Sequence, residues 1–132
     1  MVKSVVVGAL LVLGGATPGL GQDCLHGRNE SAANRQRREQ AIKVAHSINA
    51  AQAAAIAVNP NATYKRVSEL RLPEIPDNFQ LTLHVNGRQT YAFSLKDFAD
   101  PCYFAIFSDQ DRLVYATHPE PGAPVIVPAQ PR

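Results

Sequence analysis

From Arg28 to Asn59 the chain contains neither glycine nor proline, and its second half is rich in alanine. An unbroken stretch of this kind is predicted to form one helix. Asn29-Glu30-Ser31 opens it: Asn29 or Ser31 can cap, and Glu30 suits the positive end of the helix dipole. Asn59, which precedes Pro60, is biased toward extended backbone and closes it. The expectation is about 28 residues, roughly 42 Å at ~1.5 Å per residue. At about 100° per residue, one face holds Ala41, Val44, Ala45, Ile48, Ala51, Gln52, Ala55 and Ile56, a stripe centred on Ile48. The first half, RNESAANRQRREQ, is nearly all polar. It is predicted to project or to meet something polar, aided by Arg35/Glu39 and Glu39/Lys43 pairs.

After a loop (NPNATYKR), VSELRLP reads as one helical turn with Leu70 and Leu72 inward. The period then changes from 3.6 to 2. Phe79, Leu81, Leu83 and Val85 alternate with polar residues, Asn86-Gly87 signals a hairpin, and Tyr91, Phe93 and Leu95 form the returning apolar set. A two-residue loop would put the two sets on opposite faces. A three-residue loop, Asn86-Gly87-Arg88, pairs Leu83 with Tyr91, Leu81 with Phe93 and Phe79 with Leu95, and makes one face wholly apolar. YFAIFS is predicted as a third strand, DQDR as a turn and LVYAT as a fourth strand. The tail HPEPGAPVIVPAQPR holds five prolines and reads as mostly extended or disordered. A long N-terminal helix and a four-stranded antiparallel meander, each with one apolar face, must cover each other. The class is therefore α+β.

Lys3, the apolar run 5–13 and the small residues 14–21 have the layout of a signal peptide, with cleavage after Gly21 or Gln22. The run is about half the ~20 apolar residues a membrane span needs. The organisation expected is a leader at 1–21, an α+β domain at 22–118 and a proline-rich tail at 119–132. In an exported chain, Cys24 and Cys102 are expected to pair. A net charge of +2 argues against a nucleic-acid binder driven by bulk charge.

Catalytic signals are not found: the sequence holds no Gly-x-Ser-x-Gly, His-Glu-x-x-His or phosphate loop. His26, His46, His84 and His118 are scattered and read as surface or rim residues. Asp109 and Asp111, with Asp97 and Asp100, are weak calcium candidates. They lack the glycine and closing glutamate of a helix-loop-helix site, and a polar turn is the expectation. No metal and no cofactor are expected. Arg28, Arg35, Arg37, Arg38 and Lys43 outnumber Glu30 and Glu39 at the helix start and form a candidate docking surface for an acidic partner or lipid headgroups. Gln52, on the apolar stripe, is expected to bond backbone in the loop covering the sheet edge. Asn49 is placed at the rim, bonding the YKRVSEL turn.

The segments AIKVAHSINAAQAAAIA, YKRVSEL and CYFAIFSDQDRLVYA occur in the order helix, turn, last hairpin. This resembles the globular domain of type IV pilins and type II secretion pseudopilins over roughly residues 36–117. The resemblance implies a pilin-like fold, no catalysis, structural roles for Asn49 and Gln52, and partners among envelope, secretion or pilus proteins. It also supplies the source of the calcium idea. The chain departs from the family in having no Gly-Phe or Gly-Met processing site with a glutamate five residues on. The reading is a soluble, exported (periplasmic or extracellular) pilin-like domain acting by protein contact. A small periplasmic or secreted ligand-binding domain is the alternative.

Overall fold

The computed structural model describes residues 24–59, 61–118 and 124–129. The expected leader at 1–21, its expected cleavage point and most of the tail lie outside the described residues. The helix α1 spans Ala32–Val58. Ser31, extended at φ −66° and ψ 159°, caps it by accepting from the Asn34 amide at 3.1 Å. Asn59 ends it in extended conformation (φ −143°, ψ 108°), as a residue before proline prefers.

Five strands follow as a simple antiparallel meander in chain order: β1 (Phe79–Asn86), β2 (Thr90–Asp97), β3 (Ala105–Asp109), β4 (Tyr115–Ala116) and β5 (Val125–Ile126). Four strands were expected; the fifth comes from the proline-rich tail. Val125 and Ile126 pair with Ala116 and Tyr115, and the Val127 amide donates to the Val114 carbonyl at 2.7 Å. The three residues 125–127 lie between Pro124 and Pro128, so this strand is short and sits at the edge, where proline is tolerated. The third and fourth strands are also shorter than expected. Tyr103 (φ 56°) precedes β3 and Arg112 (φ 64°) lies in the turn after it, both with left-handed backbone that a regular strand does not adopt.

The first hairpin has an odd loop, so the apolar sets share one face. Leu81 pairs with Leu95, Leu83 with Phe93 and Val85 with Tyr91. The loop is Gly87-Arg88-Gln89, one residue later than the sequence reading placed it, which moves each pairing by two residues and preserves the face. The turn decides this. Gly87 has φ +55°, the left-handed value a tight hairpin corner requires, and the Gln89 amide closes onto the Asn86 carbonyl at 3.1 Å.

α1 lies on the middle strand, β3, and buries Ala41, Ile42, Val44, Ala45, Ile48, Asn49 and Gln52. The buried face is turned toward Asn49 by roughly 40° relative to a stripe centred on Ile48. Ala51 and Ala55 are therefore half-buried, while Ile42 and Asn49 are buried; Ile56, in the last turn of the helix, is half-buried as well. Ala41, Ala45, Leu95 and Ile106 are fully inaccessible, so helix backbone and strand side chains meet with no spare volume. The segment between helix and sheet, with one 3-10 turn at Val67–Glu69, covers the core margin with Tyr64, Leu70, Leu72 and Ile75. Leu25, 1% exposed, plugs the other end and is tied there by the Cys24–Cys102 disulfide.

Ala45→Leu tests the close approach. Leucine is nearly as good a helix former, so overpacking should dominate, lowering stability by about 1–3 kcal/mol in urea unfolding. No loss would mean that the helix–sheet spacing has slack.

Candidate functional site

The loop from Asp97 to Phe104 is built around two buried carboxylates. Asp100 is 6% exposed; it accepts from the Leu25 amide at 2.9 Å with one oxygen, and from the amides of Cys102 (3.2 Å) and Phe104 (2.9 Å) with the other. Asp97 is 2% exposed; it accepts from the amides of Ala99 (2.8 Å) and Asp100 (3.2 Å) and forms an ion pair with Arg37. These carboxylates are committed to backbone. The four calcium candidates fall in two separate pairs, Asp97 with Asp100 and Asp109 with Asp111. Asp109 pairs with Ala92, five residues along β2 from Asp97, roughly 17 Å at ~3.4 Å per residue. Asp109 accepts from the Asp111 amide at 2.9 Å, an Asx turn. Among the described residues, no group of three or more His, Cys, Asp or Glu side chains is placed to hold a metal ion.

Held on this frame, two aromatic side chains face outward: Phe98 is 64% exposed and Tyr103 83%. In the sequence, Tyr103 reads as the start of the third strand and Phe98 belongs to no predicted element. The available signal was an aromatic residue on either side of an Asp-Pro-Cys in an otherwise polar link.

The arginine cluster is divided by the fold. Arg38 grips Glu30 through two hydrogen bonds, at 2.7 and 2.9 Å, and Glu30 also accepts from the His26 amide at 2.9 Å. Arg37 donates to Asn34 Oδ1 (2.9 Å) and the Asp77 carbonyl (3.1 Å), pairs with Asp97, and lies 5.7 Å over the Phe79 ring. Arg37 and Arg38 are thus structural ties. Arg35, with 61% of its side chain exposed and 3.8 Å from Glu30, turns toward that carboxylate. Arg28 and Lys43 are exposed, and Lys43 lies two helical turns beyond Arg35. The polar first half of the helix meets polar groups instead of projecting.

Burial alone would push the Glu30 carboxyl up; the Arg38 and His26 hydrogen bonds outweigh it and hold the carboxyl below its usual range. Burial likewise sets the His26 imidazole below its usual value, with the Arg38 and His118 charges acting in the same direction against a Thr117 carbonyl 3.3 Å from Nδ1. The histidines are less scattered than the sequence suggests. The rings of His26 and His118 lie 4.9 Å apart, edge to face.

At the opposite end, two amides pin the layers. Gln52 donates to the Lys65 carbonyl and accepts from the Lys65 amide, both at 2.7 Å, in the loop covering the sheet margin. Asn49 is not at the rim. It is 5% exposed, donates to Ser108 Oγ (2.9 Å) and the Arg112 carbonyl (3.2 Å), and accepts from the Tyr91 hydroxyl (2.8 Å). The rotation of the buried helix face carries it onto the sheet. Burial first, and then Tyr64, push the Tyr91 phenol up to about 12.

Beside these amides, a cavity of about 240 Å³ lies between the last turns of α1 and the β3–β4 turn, bounded by Ala53, Ile56 and Ala57, by Tyr64 and Tyr91, and by Gln110 and Arg112. A shallower groove of about 440 Å³ runs beside Arg37 and Gln40, against residues 74–77.

No family model, curated protein or solved structure matches the chain.

Two predictions arise here. Asn49→Leu strands the Tyr91 and Ser108 hydroxyls and should lose about 2–4 kcal/mol. Asn49→Leu with Tyr91→Phe should lose less than the two single changes summed, which urea unfolding of all three variants will measure. Acidification should weaken the fold through both shifted groups, since each binds fewer protons folded than unfolded. The His26 contribution is complete above 6.5 and withdraws as pH falls below it. The Glu30 contribution withdraws below 4.5. In urea midpoints from pH 8 to 3, His26→Asn should flatten the upper range and Glu30→Gln the lower.

Proposed function

We propose that this chain is an exported, pilin-like domain that works by protein contact, and that its contact surface is the disulfide-closed loop presenting Phe98 and Tyr103. The observation that carries the reading is the exposure of these two rings, 64% and 83%, on a loop fixed at both ends. Aromatic side chains supply much of the binding energy at interfaces, and presenting them rigidly lowers the ordering cost of association. A Cys24–Cys102 disulfide belongs in an oxidising compartment, which fits export to the periplasm or beyond. Among the described residues, no helix is long and apolar enough to cross a membrane.

The order of one long helix before an antiparallel meander supports the pilin-like reading. The partner is then an envelope, secretion or pilus protein with an apolar recess for the rings. The exposed guanidinium of Arg35 stands at the same end of the helix as the Arg37–Asp97 tie and supplies a cationic rim. Interaction through Arg37 and Arg38 is not part of the proposal, because both side chains hold the loop and its neighbour in place.

Photo-crosslinking in cells tests it. A crosslinker at Pro101 should give one discrete protein adduct, whereas one at Val58, exposed at the far end of α1, should not. Phe98→Ser with Tyr103→Ser should abolish the Pro101 adduct while leaving thermal stability nearly unchanged. Equal adducts at both positions, or an adduct that survives the double substitution, would refute the surface.

A further inference from the structure

The alanines of α1 do two different things. Ala41 and Ala45 are fully inaccessible against the sheet, and close packing accounts for them. Ala53 and Ala57 are not in that interface; Ala53 is half-buried and Ala57 exposed. With Ile56, they form one wall of the 240 Å³ cavity. A larger residue at either position would fill this space, so the small side chains keep it open.

The other walls are aromatic and rigid. Tyr64 and Tyr91 meet edge to face with ring centroids 4.7 Å apart. Tyr91 is 2% exposed and its hydroxyl is committed to Asn49 at 2.8 Å, so it backs Tyr64 and leaves Tyr64 as the open aromatic wall. Tyr64 is fixed from behind by its amide, which donates to the Gly87 carbonyl at 2.9 Å.

The rim is polar and carries one cation. Gln110 and Arg112 belong to the β3–β4 turn, which is locked three times: the Arg112 amide donates to the Asp109 carbonyl (2.9 Å), the Asp111 amide to the Asp109 carboxylate (2.9 Å), and Asn49 to the Arg112 carbonyl (3.2 Å). Arg112 holds a left-handed backbone at φ 64° under these constraints. Among the described residues its guanidinium forms no ion pair, unlike those of Arg35, Arg37 and Arg38. Asp109 and Asp111 are the carboxylates nearest in sequence, and the first is already hydrogen-bonded to backbone.

A cavity with alkyl and aromatic walls, a polar rim and one cation outside any described ion pair selects for a body and a charge. An apolar protein cavity of about 150 Å³ accommodates benzene. A cavity of 240 Å³ therefore holds one ring with a small substituent. We propose that this cavity binds small monocyclic carboxylates, with the ring between the α1 alanines and Tyr64 and the carboxylate on Arg112. This site lies at the opposite end of the molecule from Phe98 and Tyr103, and it stands whether or not that loop binds a partner.

Amide NMR of the oxidised domain titrated with 4-methylbenzoate tests it. Saturable shifts are expected at Ala53, Ile56, Ala57, Tyr64 and Arg112. The neutral 4-methylbenzamide should bind about tenfold more weakly, since a charge-assisted hydrogen bond is roughly twice as strong as a neutral one. Arg112→Gln should erase that difference. Ala53→Met should block both ligands, and Ala57→Met, at an exposed position, gives the same test if the first variant is unstable. Absence of saturable shifts would overturn the site. Equal affinity for acid and amide would overturn its assignment to anions, and unchanged binding in both methionine variants would overturn its location.

Discussion

Asp100 takes three backbone amides, one of them from Leu25, 75 residues away in sequence. A buried carboxylate is tolerated only when its lone pairs are met, and here backbone N–H groups meet them. The consequence is directional. Leu25 must lie against the loop for the charge to be satisfied, and once it does, its side chain closes the core and Cys24 stands beside Cys102. The disulfide then makes the arrangement covalent, closing a sequence separation of 78 residues. The chain-entropy treatment credits a loop of that length with roughly 4 kcal/mol. Glu30 and Arg38, and Asp97 and Arg37, extend the same knot onto the first turns of α1. The polar half of the helix is thus held by ion pairs, at the end where it has no apolar face to bury.

The far end uses neutral groups for the same purpose. Gln52 closes both hydrogen-bonding groups of Lys65 and so substitutes for a strand partner at the sheet margin. Asn49 joins three separate pieces: Tyr91 on β2, Ser108 on β3 and Arg112 in the turn. Neither amide is replaceable by a hydrocarbon of similar size without leaving buried partners unmet. Between the two ends the interface is alanine, valine, leucine, isoleucine and phenylalanine at high density. The layers are therefore positioned by polar pins at both ends and held together by apolar contact in the middle.

Much of this is legible in the sequence because it rests on local rules. The absence of glycine and proline from Arg28 to Asn59 gives the helix, and the alternation from Phe79 onward gives the strands. Parity of the hairpin follows from requiring one apolar face. The hairpin's position depends on which corner needs φ > 0, and the sequence reading placed Gly87 one position late within the turn. β5 was missed because three apolar residues among prolines carry too little periodicity to mark a strand. The partners of Asn49 were missed because a 40° rotation of the buried face, set by packing along β3, is not encoded in any single residue. The arginine cluster shows the same limit: charge counting along a helix does not reveal that Glu30 and Asp97 fold back onto Arg38 and Arg37.

That last point bears on how function can be read from such a chain. The residue types usually searched for chemistry, here Asp97, Asp100, Glu30, Arg37 and Arg38, are engaged in holding the backbone. What the fold leaves available are groups that attract little notice in sequence: Phe98 and Tyr103, which packing would normally bury, and Arg112, a cation outside any described ion pair. An exposed aromatic residue and an unpaired guanidinium each carry a free-energy cost or an unused capacity in the isolated molecule. Burying the rings in a partner relieves the first, and an anion against Arg112 uses the second. The two features sit at opposite ends of α1, so one domain of this size can contact a partner through the disulfide loop while its other end remains open to a small molecule.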